Sequence, residues 1–128
     1  MKKKILVIVP HADDEVLGCG GYLLHNKDNA EIFIIVGTVG GDDARQDYST
    51  RMKELKSVCD KLNAKYFVLF EGFDAKLDTV PSYSITSKID TIIDDFKPTE
   101  VFLSYKSKHQ DHAKMYDCGM ASFRLREG

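Results

Sequence analysis

Residues 5–15 read Ile5-Leu6-Val7-Ile8-Val9-Pro10-His11-Ala12-Asp13-Asp14-Glu15, and Val16-Leu17-Gly18-Cys19-Gly20-Gly21 follows directly. Five aliphatic residues in a row suit a parallel strand covered on both faces. Pro10 has no N–H for a strand ladder, so the chain is expected to leave the sheet there. The turn that follows concentrates one imidazole and three carboxylates at the carboxyl end of a strand, where open α/β sheets bind their ligands. His11 and Asp14 are spaced so that, if Asp14 opens a helix, both face one point while Asp13 projects elsewhere. One imidazole and one carboxylate are two of the three protein ligands of a catalytic zinc site. A further carboxylate beside such a metal is placed to take a proton from its water. The competing reading is local: Asp13 and Asp14 simply cap a helix whose N-terminus favours acidic residues.

Outward from that stretch the chain alternates strand and helix. The first strand, β1, covers about residues 4–9, and the helix α1 runs from about Glu15 to Lys27. Gly18, Gly20 and Gly21 fall within α1, each costing roughly 1 kcal/mol against alanine, which suggests close backbone packing on the sheet. Phosphate cradling is the rival idea, but Gly18-Cys19-Gly20-Gly21 matches neither a dinucleotide nor a Walker pattern. Ala30–Gly37 is the second buried strand, β2. The helix α2, about Tyr48 to Asn63, carries Met52, Leu55, Val58, Cys59 and Leu62 as one apolar stripe.

Lys65–Phe70 forms β3. The helix α3, capped by Ser82 or Ser84, turns Ile85, Ile89, Ile92, Ile93 and Phe96 inward, and Pro98 ends it. Glu100–Ser104 is β4, and α4 runs from about Asp111 to Leu125. The alternation β1-α1-β2-α2-β3-α3-β4-α4 predicts an α/β fold: a Rossmann-like parallel sheet with right-handed crossovers and helices on both faces. If the sheet begins in the order 3-2-1, β4 takes the free side of β1, giving 3-2-1-4. The loops after β1 and β4 then flank the switch-point crevice.

Composition narrows the function classes. The 128 residues form one domain, and 43% hydrophobic with 30% charged residues is the balance of a soluble globular protein. A net charge of −2 with no basic run beyond Lys2-Lys3-Lys4 gives no reason to expect nucleic acid or an anionic membrane as partner. The apolar run after those lysines is too short for a signal h-region or a membrane span. Cys19, Cys59 and Cys118 show no CxxC spacing, so a reduced, cytoplasmic setting fits best.

The loop after β4 reads Tyr105-Lys106-Ser107-Lys108-His109-Gln110-Asp111-His112. His109 and His112 repeat the spacing of His11 and Asp14, with a carboxylate between them. His112 can complete a triad of two histidines and one aspartate. His109 is then left near the metal to meet charge developing on a substrate oxygen. Asp111 can accept a hydrogen bond from an imidazole and fix its tautomer. A lone histidine is usually structural or merely solvated, and His25, on an amphipathic helix, receives no role.

The pair His11-Ala12-Asp13-Asp14-Glu15 and His109-Gln110-Asp111-His112 resembles the two signatures of the PIG-L / LmbE-like zinc-dependent N-deacetylases. Arg51-Met52-Lys53-Glu54-Leu55 is similar to that family's Arg-x-x-Glu-Leu, so the likeness runs through nearly the whole chain. The resemblance implies a Rossmann-like fold and removal of acetyl groups from N-acetylglucosamine-containing substrates. It implies His11, Asp14 and His112 as metal ligands, Asp13 as general base and Asp111 as the orienting partner. His109 would stabilise the oxyanion or protonate the leaving amine. Arg51 becomes a candidate substrate contact, Asp74 a candidate for the same mouth, and Glu15 a motif residue serving the helix start. Ala12 and Gln110 stand where the family usually has proline, at positions with no catalytic side chain. The family commonly continues past its second motif, so residues 1–128 are expected to be a minimal or C-terminally truncated domain. The apolar residues Met115, Tyr116, Met120, Phe123 and Leu125 of α4 suggest an interface with a second subunit.

The expected activity is zinc-dependent amide hydrolysis of a small N-acetylated amino sugar or glycoconjugate, with ferrous iron an alternative for the same donor set. Three rivals stand beside this reading. A receiver-like signalling module would need a phosphorylatable aspartate directly after β3 and a lysine after a fifth strand, and would leave His11, His109 and His112 unexplained. A zinc hydrolase of another amide, such as a mycothiol- or bacillithiol-type conjugate, would share every motif. A metal-binding domain without turnover would bind zinc yet release no acetate.

Overall fold

The computed structural model describes residues 2–11, 14–38, 48–70, 81–103 and 110–124, with the side chains at 14–19, 38, 48–51, 110–113 and 123–124 outside that description. Four strands and four helices alternate along these segments: β1 (Lys3–His11), α1 (Asp14–Asn26), β2 (Ala30–Thr38), α2 (Tyr48–Leu62), β3 (Ala64–Phe70), α3 (Ser82–Phe96), β4 (Glu100–Leu103) and α4 (Gln110–Arg124). The sheet order is β3-β2-β1-β4 and every pairing is parallel, as the alternation implied.

The continuous aliphatic run of β1 is explained by what covers it. Ile5, Val7 and Val9 enter one core with Ile32 and Ile34 of β2, Leu23 of α1, and Leu55, Cys59 and Leu62 of α2. Leu6 and Ile8 enter the other with Ile35, Ile85, Ile89 and Ile93 of α3, and Met115 and Cys118 of α4. Successive side chains of a strand point to opposite faces, so a strand covered on both sides is apolar throughout. Helices α1 and α2 therefore cover one face, and α3 and α4 the other. Of the apolar surplus on α4, Met115 is buried, Tyr116 and Met120 are half-buried, and Leu125 lies outside the described residues.

Three local expectations are corrected. Pro10 does not end β1: the strand continues to His11, with the β2 register passing from Val9↔Val36 to His11↔Thr38. A strand's N–H groups alternate between its two neighbours, so one missing donor leaves the flanking pairs intact. Neither Ser82 nor Ser84 caps α3 with its side chain; Pro81 is the cap residue, and its carbonyl accepts the Ser84 N–H at 3.0 Å. The helix ends at Lys97 in the left-handed region (φ 54°), with Pro98 next, a common stop after a C-cap. Gly21 does not serve close packing either, since a Cβ added there would meet nothing within 4 Å.

Gly119 of α4 is the opposite case. A Cβ there would lie 2.6 Å from Leu103 Cδ2 and 3.7 Å from Ile8 Cδ1, so the bare backbone lets α4 approach β4 and β1. At the amino edge of the sheet, β4 is pinned to β1 by Thr99. Its N–H donates to the Lys4 carbonyl at 2.8 Å, and its Oγ1 accepts the Lys4 N–H at 2.9 Å.

Candidate active site

The four described strands run parallel, so their carboxyl ends share one edge of the sheet, and the sequence motifs fall at the end of β1 and after β4. His11 is the last residue of β1, half-buried and in register with Thr38. Asp14 is the first residue of α1, as the shared-focus spacing of His11 and Asp14 required. On the far side of β1, the β4 ladder closes at Ile8↔Leu103, and α4 starts at Gln110. Asp111 and His112 thus occupy the first turn of α4. Arg51 lies in the first turn of α2, at the same edge beyond β2.

The adjacency of β1 and β4 brings the backbone of His11 and Asp14 to the same edge as the first turn of α4. With β4 on the far side of β2 or β3, at least one strand would lie between it and β1, about 4.8 Å of sheet for each. The backbone places His11, Asp14, Asp111 and His112 at one edge, while Asp13, Asp74 and His109 lie outside the described residues. Among the described residues no three His, Cys, Asp or Glu side chains form a metal-sized group, and the side chains of Asp14, Asp111 and His112 are not among those described. The N-termini of α1 and α4 both end at this edge, so their dipoles favour negative charge there, whether carboxylate ligands or a developing oxyanion.

The donor set fits a catalytic metal. Two imidazoles and one carboxylate, drawn from β1, α1 and α4, are the ligand types of a three-coordinate protein site that leaves a position for water. The same types also suit ferrous iron. Sequence reading did not single out Tyr22 or Glu100, whose side chains meet between α1 and the start of β4. They stand 78 residues apart and neither belongs to a motif, so no local signal could have paired them.

The family model described as GlcNAc-PI de-N-acetylase, PIG-L, matches residues 6–123. The chain belongs to the PIG-L family. Family membership replaces the receiver-like reading. Among relatives of this PIG-L chain, the probable N-acetyl-alpha-D-glucosaminyl L-malate deacetylase 2 of Bacillus cereus is 27% identical over 125 residues, covering 88% of this chain and 57% of that protein. Its Bacillus subtilis counterpart, named in the same way, is 28% identical over 137 residues, covering 97% of this chain and 61% of that protein. Among solved structures, a conserved protein from Thermus thermophilus superposes with a TM-score of 0.76 at 28% identity, covering 94% of this chain and 55% of that one. The PIG-L chain therefore spans between half and two-thirds of the length of the relatives it matches.

Proposed function

We propose that this PIG-L domain, residues 1–128, hydrolyses the N-acetyl group of a small N-acetylglucosamine-type sugar or glycoconjugate, releasing acetate and a free amine. One observation carries the reading: β4 lies directly beside β1, so His11 and Asp14 share a sheet edge with Asp111 and His112. The Bacillus relatives, named as probable deacetylases of an N-acetylglucosaminyl malate, support an amino-sugar substrate.

His11, Asp14 and His112 would hold a zinc ion. A zinc ion held by these residues would supply Lewis-acid polarisation of the acetyl carbonyl and a lowered water pKa, toward about 7. Asp13 takes the proton of the attacking water. Asp111 accepts a hydrogen bond from an imidazole and keeps that ring in one tautomer. His109 meets the charge that develops on the acetyl oxygen, or returns a proton to the leaving amine. Arg51, from the first turn of α2, and Asp74 contact the sugar. The working location is the cytoplasm, in keeping with the buried cysteine thiols of Cys59 and Cys118. No helix among the described residues is long and apolar enough to cross a membrane.

Metal content by mass spectrometry on the wild type and on His112→Ala, purified side by side, tests the reading, together with acetate release from N-acetylglucosaminyl malate. Near-stoichiometric zinc in the wild type, lost in the variant, with acetate released only by the wild type, is expected. Iron in place of zinc would keep the site and change its metal. A folded wild type that takes up no divalent metal when zinc is offered would overturn the reading.

A further inference from the structure

Two elements that bring metal donors to the carboxyl edge, β1 and α1, are tied to β4 at the opposite edge by one polar cluster. Lys3 opens β1, Tyr22 lies in the third turn of α1, and Glu100 opens β4. The Tyr22 hydroxyl donates to Glu100 Oε2 at 2.6 Å. Lys3 Nζ donates to the same hydroxyl at 3.2 Å and stands 3.5 Å from Glu100 Oε1. The Tyr22 ring packs against Phe102 of β4 with centroids 5.2 Å apart, and both rings border the core that seats Leu23.

These contacts differ in weight. Lys3 is exposed and Glu100 half-buried, and an ion pair with so solvated a partner contributes little. The part-buried Tyr22–Glu100 bond is short and accepted by a carboxylate, the stronger class of hydrogen bond. It joins a helix to a strand that is not its neighbour in sequence. Eight residues of rigid helix, about 12 Å, separate Tyr22 from Asp14. A shift of α1 relative to β1 and β4 at the amino edge is therefore carried to the carboxyl edge, where Asp14 must meet donors delivered by β1 and by α4.

We propose that Tyr22 is a positioning residue for the metal site, its hydroxyl clamping α1 to β4 through Glu100 so that Asp14 stays aligned with His11 and His112. The inference rests on the proposed metal site. The role is separable from general packing, because the ring contact with Phe102 survives removal of the hydroxyl while the clamp does not.

Zinc affinity of the metal-free protein, measured by competition with a fluorescent chelator, tests this on the wild type, Tyr22→Phe, Glu100→Ala and Glu100→Gln, with melting temperatures recorded without metal. Tyr22→Phe and Glu100→Ala are expected to bind zinc about threefold to tenfold more weakly, while Glu100→Gln, whose amide oxygen still accepts from Tyr22, stays within about twofold of wild type. A merely structural role would lower melting temperature and leave affinity unmoved. Wild-type affinity in Tyr22→Phe, or equal loss in Glu100→Gln and Glu100→Ala, overturns the clamp while leaving the metal site standing. A wild type that binds no zinc overturns the site itself, so the two failures are told apart.

Discussion

Asp13 and Asp14 are adjacent carboxylates with different expected work. Asp14 opens α1 and, with His11, is proposed to hold the metal, whereas Asp13 is proposed to move a proton. Asp13→Asn should therefore retain zinc at near wild-type stoichiometry while kcat for acetate release falls by about 100-fold or more, because the amide cannot accept the proton. Parallel metal analysis and turnover assays check this, and loss of zinc in that variant would mean the two roles are exchanged. The same scale shows where reading residues singly falls short. Pro10 looks like a strand terminator, but one missing N–H is tolerated when the neighbouring residues carry the ladder to β2. Lys3 looks like part of a basic terminus, yet the Tyr22 hydroxyl, and then the charge of Glu100, holds its ammonium above the usual lysine range.

The helices were legible because their apolar spacing is local and their buried faces obey it. Ile85, Ile89 and Ile93 of α3, and Leu55, Cys59 and Leu62 of α2, are the residues that periodicity selects and that the cores bury. Glycines within a helix were less legible, because the same residue signals close packing or nothing. Gly119 admits Leu103, whereas Gly21 is exposed and faces open space. Gly21→Ala is accordingly expected to stabilise the protein by about 1 kcal/mol, read as a higher midpoint of urea unfolding with an unchanged slope. Destabilisation would show that α1 meets something at Gly21 beyond the described residues. The start of α3 was misread for a related reason. Serine offers a cap only if its backbone sits at the boundary, and the chain enters the helix one residue earlier, at Pro81.

For the whole molecule, the proposed metal joins elements that otherwise meet through the sheet: the β1–α1 junction on one side and α4 on the other. Zinc at about 100 times its dissociation constant should add about 2.7 kcal/mol, raising the melting temperature by roughly 5–10 °C. Scanning calorimetry with and without a chelator measures it, and His112→Ala should abolish most of the shift. An unchanged melting temperature in a zinc-loaded wild type would show that zinc binds the folded and unfolded chains alike, and would overturn a site built by the fold. The sequence by itself determined the four strand–helix units, the apolar faces and the two donor motifs, because each depends on spacing over a few residues. It also reached the strand order, but only on the condition that the sheet starts 3-2-1, since crossover handedness and burial of both faces of β1 allow that order without naming it from any one segment. Only the tertiary structure decided that β4 lies against β1 in the register Ile8↔Leu103, which puts His11 and His112 at one edge. It alone also brought Tyr22 to Glu100, because a contact between residues 78 apart follows from packing two finished layers and leaves no mark on local periodicity.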